Sequence, residues 1–354
     1  MRTLSFRFYY IVFTVILLLL LFLSVRVGAV SITYEKIVAF IADGFGYQTS
    51  VPVNKIEQAL FFQIRLPRVL LCAFVGASLA VSGALMQALF RNPIVEPGLI
   101  GTSAGAALGA AFVFVMGKSI AGVYADVLGP FLLPVFAFIG GLAATLAVYK
   151  LSSIFGKVNV STMILAGIAV NAMAAGGTGF LSYVARDPQA RSITFWNLGT
   201  LSGSNWNSVW LVGCSTVFGI IICLRYTRGL NALLLGDDAA GNLGINTSRL
   251  KSRVLLLNTF MISLATAMVG VIAFVGLIVP HILRMLKSSD NRFLVIGSAL
   301  LGAIVLNLAD MVARSIVAPS EFPIGIITAF IGAPIFLSIL IGSYKQQQGG
   351  GFYA

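Results

Sequence analysis

Apolar runs long enough to cross a bilayer, or nearly so, recur along the chain. They lie at about residues 9–30, 66–88, 98–116, 129–150, 160–184, 205–226, 254–274, 293–313 and 323–343. At about 20 residues per crossing, each predicts a membrane-spanning helix. Between the seventh and eighth runs lies Phe274–Lys287, short, apolar and interrupted by Pro280. Taken as a half-length span over 275–287, it raises the expectation to about ten spans and puts both termini on one side. Polar positions gather in two longer connections. Residues 31–64 carry Glu35, Lys36, Asp43, Lys55 and Glu57. Residues 227–253 contain a helix-capable piece between Gly236 and Gly244, with Asp237 and Asp238 at its N-terminal, dipole-favoured end. The tail 346–354 is polar, Gly-rich and expected to be disordered.

Several runs are cut where a plain anchor would be continuous. Arg65-Leu66-Pro67-Arg68 opens the second run, which ends at Gln87. The segment from Arg91 through Asn92, Pro93 and Glu96 to Pro97, Gly98 and Gly101 follows it. The last run holds Gly325, Gly332 and Pro334. Intramembrane turns are therefore expected at Asn92, Pro93, Pro97, Pro280 and Pro334. Backbone breaks at membrane depth persist only where they are buried in protein or line a cavity. The pattern points to a route across the bilayer.

Composition settles the class: hydrophobic residues make up 58% of the chain, charged residues 10%, and the mean hydropathy is +0.99. Soluble domains carry roughly 25% charged residues, so this is an all-α polytopic membrane protein. The net charge of +12 comes from Lys and Arg scattered at helix ends rather than interleaved with aromatics, which argues against nucleic acid. With ten spans and the N-terminus inside, 14 of the 23 Lys and Arg fall in inner segments, the sign expected for positive-inside orientation. Cys72, Cys214 and Cys223 lie within apolar runs, with neither disulfide nor metal-ligand spacing. Residues 9–25 follow two arginines, as in a signal peptide, but the run is long and many spans follow, so it is taken as the first span.

Candidate chemistry is sparse. Arg65 and Arg68 read as snorkelling arginines at a helix end. Asp310 lies in an apolar run with Asn307 and Arg314 on the same helical face, which suits a local Asp310–Arg314 ion pair. No further carboxylate is expected at depth, which weakens any proton relay. His281, the only histidine, is not expected to be a ligand. The run 160–184 is dense in small residues that permit close helix contact. Asn171, Met173, Gly176 and Gln87 are selected as translocation-pathway or gate residues. No phosphate-binding Gly-x-x-x-x-Gly-Lys motif occurs, so a nucleotide-driven step needs a partner.

At these residues the chain resembles the FecCD-type permeases, membrane subunits of ABC importers for iron–siderophore chelates, haem and cobalamin. The resemblance rests on Arg65–Arg68, Gly83–Gln87 through Asn92-Pro93 to Gly101, Ser103–Ala106, Trp196–Gly199, Leu235-Gly236 to Leu243-Gly244, Phe274–His281, Ala309-Asp310 to Arg314, and Phe322–Gly325 through Pro334. These stretches run in the family's order over about 270 residues. The resemblance implies a type II ABC importer permease fold of about ten helices in the bacterial cytoplasmic (inner) membrane, with both termini cytoplasmic. It implies that Arg65, Arg68 and Arg314 receive acidic residues of an extracytoplasmic solute-binding protein. It also implies that a segment at about 231–247 is a coupling helix for an ATPase, through Leu235, Gly236, Asp237, Asp238, Ala239, Ala240, Asn242, Leu243 and Gly244. A second permease subunit, identical or paralogous, and two ATPase subunits carrying ATP and Mg²⁺ complete the expectation. This chain itself is expected to bind no cofactor or metal and to be no enzyme.

Ferric siderophore is the first cargo expected, with haem or cobalamin as alternatives. An ion-gradient-driven secondary transporter would share the broken helices, but Asp310 stands nearly alone as an intramembrane carboxylate. A membrane-embedded enzyme lacks any cluster for metal or acid–base work.

Overall fold

The structure, a computed structural model, describes residues 5–28, 32–44, 46–47, 54–122, 125–153, 160–317 and 320–348. These form helices, with no strand among the described residues. In chain order they are α1 (Phe6–Arg26), α2 (Tyr34–Gly44) and α3 (Lys55–Ala59), a π-helical turn (Leu60–Arg65), α4 (Leu66–Phe90), and a 3₁₀ turn (Pro97–Ile100). Then come α5 (Thr102–Ala121), α6 (Ala125–Ser152), α7 (Val160–Val184), α8 (Asp187–Asn197) and α9 (Trp206–Leu233). The chain continues with α10 (Asp237–Asn242), α11 (Thr247–Val269), α12 (Val275–Leu286), α13 (Asn291–Ile316) and α14 (Ile324–Gln348). Seven of these are long and apolar enough to cross a bilayer, and shorter apolar helices begin at Thr102, Val275 and Ile324.

Boundaries differ from the hydropathy reading where polar groups find partners inside the bundle. The run expected at 254–274 begins earlier, at Thr247, because Asn246 caps the helix by accepting from the Arg249 N–H at 3.0 Å. It ends at Val269, and the stretch to Phe274 is not helical. The first residues of the polar tail continue α14 to Gln348, so helix replaces the expected disorder there; 349–354 lie outside the described residues. The described parts of the connection expected at 31–64, residues 32–44 and 54–62, pack into a small folded cap. Ile32, Ile37, Phe40 and Phe61 pack with Val25 and Val69, and Lys36 pairs with Glu57 at 2.7 Å.

The bundle is organised around α4, whose span is 89% buried and which packs against α9, α11, α12 and α13. Apolar contact gains little in hydrocarbon, so helix association there depends on close backbone approach at small residues. A Cβ on Gly83 would fall 1.7 Å from the Gly276 carbonyl oxygen of α12. One on Gly76 would fall 2.3 Å from the Gly302 oxygen of α13. Gly105 and Gly140 join α5 to α6 in the same way.

Two of the five expected turns are corrected. Pro280 and Pro334 lie inside α12 and α14. Proline lacks an N–H and frees the carbonyl four residues earlier; for Pro280 that is Gly276. The Gln87 side-chain amide of α4 donates to the Gly276 oxygen at 3.4 Å and to the Leu277 oxygen at 3.2 Å. The gap in the helix is filled from outside, so it need not break. Pro334 has its freed carbonyl at Phe330, whose side chain is exposed. Asn92, Pro93 and Pro97 do lie in the irregular α4–α5 connection.

Two stability predictions follow from these contacts, each read as a thermal midpoint in detergent. Gly83→Ala should destabilise by about 2 kcal/mol or more, whereas Gly179→Ala, whose Cβ would meet nothing within 4 Å, should be near neutral. Gln87→Leu should cost about 2 kcal/mol by orphaning buried polar groups. Combined with Pro280→Ala, which restores an N–H for Gly276, it should cost less; strict additivity would refute the substitution of one donor for the other.

Candidate functional site

Two backbone breaks meet in the interior. The α4–α5 connection supplies Glu96, Pro97, Gly98 and Leu99, and the α11–α12 connection supplies Val271–Phe274. With Ser103, Asn171, Asn197 and the Leu79 turn of α4 they enclose a cavity of about 400 Å³. Phe274 starts α12 at φ +68°, a left-handed conformation that is uncommon for a bulky residue. Its N–H donates to the Glu96 carboxylate. The acid stands at the N-terminus of α12, where the helix dipole favours negative charge.

Glu96 was missed from the sequence, where Asp310 seemed the main carboxylate at depth. The available signal was an acid directly before Pro97 in an otherwise apolar turn. Asn197 and Phe274 also escaped selection, because only folding brings α8 and the α11–α12 break together.

The residues chosen for the pathway separate onto three surfaces. Asn171 lines the cavity, and its amide donates to the carbonyls of Gly98 at 3.0 Å and Leu99 at 3.5 Å, bracing the 3₁₀ turn. Met173 is two residues on, about 200° around the helix, and is 76% exposed on the outside of the chain. Gly176 likewise has no other atom near its Cβ position. Gln87 is corrected: it is 2% exposed, lies off the cavity, and accepts from Arg284 of α12 while donating to the α12 carbonyls.

At one end of α4 the three selected arginines do converge, turned inward. Asp310 of α13 is fully buried and pairs with Arg68 at 3.0 Å and with Arg314 at 2.9 Å. Arg65 donates to the Val25 and Arg26 carbonyls at 2.9 Å, and Arg314 to those of Ser24 and Val27. The guanidinium groups thus satisfy the otherwise orphaned C-terminal carbonyls of α1, where cations are also favoured by the dipole. Arg65, Arg68 and Arg314 are 5–7% exposed. Glu321, on the α13–α14 connection, pairs with Arg68 and is the exposed member of the cluster.

At the opposite end, α4 stops at Arg91, which adopts φ +50°. Arg91 pairs with Asp237 of α10 at 3.2 Å, and Lys251 of α11 pairs with the same carboxylate. The helix within the expected segment 231–247 is six residues long. Gly236 at φ +112° and Gly244 at φ +80° turn the chain on either side. Ala240 is buried beneath it, while Leu235 and Leu243 are 71% and 64% exposed. Exposed leucines flanking a short helix form a knob that a partner could bury. Among the described residues, no group of three or more His, Cys, Asp or Glu is placed to hold a metal.

Comparison with known proteins places this geometry. The model of the FecCD transport family matches residues 16–342. The hemin transport system permease protein of Yersinia pestis is 39% identical over 95% of this chain and 96% of its own length. The cobalamin import system permease protein of Halobacterium salinarum is 39% identical over 81% of this chain and 75% of its own. A solved structure described as a metal-chelate type ABC transporter in an inward-facing conformation superposes with a TM-score of 0.79. It is 28% identical and covers 95% of this chain and 99% of that one.

The buried cluster yields one prediction. Asp310→Asn leaves the buried Arg314 without a counter-charge and Arg68 with Glu321 alone, and should destabilise by about 3 kcal/mol. Glu321→Gln, at the exposed rim, should cost about 1 kcal/mol or less. Denaturant titration of both variants in detergent checks the order; equal losses would place the cluster's energy elsewhere.

Proposed function

Because this chain belongs to the FecCD transport family and is the permease subunit of an ABC importer for metal chelates, we propose that its cargo is a metal tetrapyrrole, haem foremost. The hemin permease carries this reading, being similar over nearly the whole of both chains. Cobalamin is the second reading, supported by a relative of equal identity over a shorter stretch. Ferric siderophore, put first from the sequence, becomes the third arm of the same assay.

Work enters at α10. The knob formed by Leu235 and Leu243 sits in a groove of a cytoplasmic ATPase, which holds the ATP and Mg²⁺. Arg91 links α10 to the end of α4, and the connection beyond it reaches the cavity, so displacement of α10 acts on the cavity wall. The α10 end and both termini face the cytoplasm, in keeping with the charge distribution. A second permease subunit, identical or paralogous, covers the face of α7 that bears Leu165, Ile168, Met173 and Phe180. These are exposed here, and the most apolar stretch of the helix is only 17% buried. The chelate passes between the two subunits.

The outer arginine cluster serves docking of a solute-binding protein through the rim it holds in place. Glu321 and the end of α1 form that rim, and Arg68 is the guanidinium that reaches it. Carboxylates on the partner would meet Arg68 at this edge. Changing Arg314 to an acid would first disrupt the Asp310 pair, so Arg68 and Glu321 are the informative positions.

Proteoliposomes containing this chain with its ATPase and binding protein should accumulate hemin in an ATP-dependent manner, ahead of cyanocobalamin and a ferric siderophore. Replacing Leu235 and Leu243 together by Glu should abolish ATPase co-purification while the permease still elutes as a folded species. Uptake driven by an ion gradient without the ATPase would sink the proposal.

A further inference from the structure

The ends of α9 and α11 next to α10 carry cations that the proposed transport mechanism does not use. On α9, Phe218, Ile221, Arg225 and Arg228 follow at spacings of three or four residues, and all are exposed. On α11, Arg249, Arg253, Leu256 and Phe260 repeat the pattern in the opposite direction and are also exposed. Such spacings put the members of each series on one helical face. The two helices pack antiparallel, with Gly219 against Met261 and Gly229 against Leu250, which brings Arg225 close to the level of Arg253 and Arg228 close to that of Arg249. Each face therefore passes from large apolar side chains in mid-helix to arginines near the helix end.

The apolar half identifies what lies alongside. Exposed Phe218, Ile221, Leu256 and Phe260 on spanning helices face hydrocarbon. A rise of 1.5 Å per residue puts Arg225 about 6 Å beyond Ile221 and about 12 Å short of the end of α9. The arginines thus lie between the apolar middle of each helix and α10. Among the described residues, no ion pair or side-chain hydrogen bond engages any of these four guanidinium groups. Of the two acids on α10, Asp237 is already taken by Arg91 and Lys251, and Asp238 pairs with none of the four arginines.

We propose that the paired arginines of α9 and α11 form a binding site for the headgroup of an anionic phospholipid in the leaflet at the α10 end, its acyl chains lying along Phe218, Ile221, Leu256 and Phe260. Guanidinium groups suit a phosphodiester because their N–H fork matches two of its oxygens. A lipid is favoured over an acidic protein because the cationic face continues directly into the lipid-covered one. Each basic residue near an anionic headgroup adds to its attraction, so arginines on two adjacent helices favour it over a zwitterionic neighbour. The site adjoins α10, so its occupancy would steady the connection that joins α9 to α11 through α10.

The test is native mass spectrometry of the full chain released from micelles containing equal amounts of dioleoylphosphatidylglycerol and dioleoylphosphatidylcholine. The wild type should retain phosphatidylglycerol preferentially. Arg225→Gln with Arg253→Gln should lower that retention about tenfold or more, and Arg225→Lys with Arg253→Lys should keep most of it. A charge-matched control, Arg186→Gln with Arg191→Gln on α8, should leave it unchanged. Absence of preference in the wild type, or equal losses in the α8 control, would overturn the site. So would intact phosphatidylglycerol retention in the α9/α11 Gln variant; lost ATPase co-purification in that same variant would mark the patch as a protein interface.

Discussion

A backbone N–H or C=O without a partner in hydrocarbon costs several kcal/mol, and this constraint governs how the chain uses its few polar side chains. At several places where a helix ends or is interrupted inside the bundle, a side chain from another element closes the account. Gln87 serves the carbonyl that Pro280 frees. Asn171 serves the carbonyls of the Pro97–Ile100 turn, and Glu96 takes the Phe274 N–H at the start of α12. Arg65 and Arg314 serve the end of α1, and the Trp206 indole N–H reaches the Phe62 carbonyl of the π-helical turn. The breaks are possible because these donors and acceptors come from distant parts of the sequence.

The same arrangement gives the bundle a rigid axis with irregular walls. α4 is almost wholly buried and meets its neighbours at glycines, where backbones touch. Its two ends hold the two charged sites, Arg68 with Asp310 at one and Arg91 with Asp237 at the other. Between them, the cavity is bounded by short helical starts and turns. Such elements can shift with less loss of packing than a continuous helix in the bundle centre. An importer whose chain carries no nucleotide site needs this division between a stiff frame and movable walls.

Much of this architecture is legible without coordinates. Spans of apolar residues declare themselves by length, and the positions of Asn92, Pro93 and Pro97 mark a true break because that segment also lacks a continuous apolar face. Pro280 and Pro334 misled for a physical reason. Proline signals only that an N–H is missing, and whether the helix survives depends on whether another donor arrives; for Pro280 that donor is Gln87, almost two hundred residues earlier. The arginines show the same limit. A docking role for them was implied by family resemblance, but their convergence and inward direction depend on Asp310 and the carbonyls of α1, which no local spacing reveals.

By itself, the sequence determined the class of protein, the approximate course of its helices, and the short Gly-bounded helix at α10. These depend on local properties: hydrophobic length, and proline and glycine conformation. Only tertiary structure decided that Glu96, Asn171 and Phe274 share a cavity, that Met173 faces away from it, and that Gln87 completes a helix instead of lining a route. Those outcomes depend on which backbone groups are left unpaired after the helices pack, and in a medium without water only the assembled fold can supply their partners.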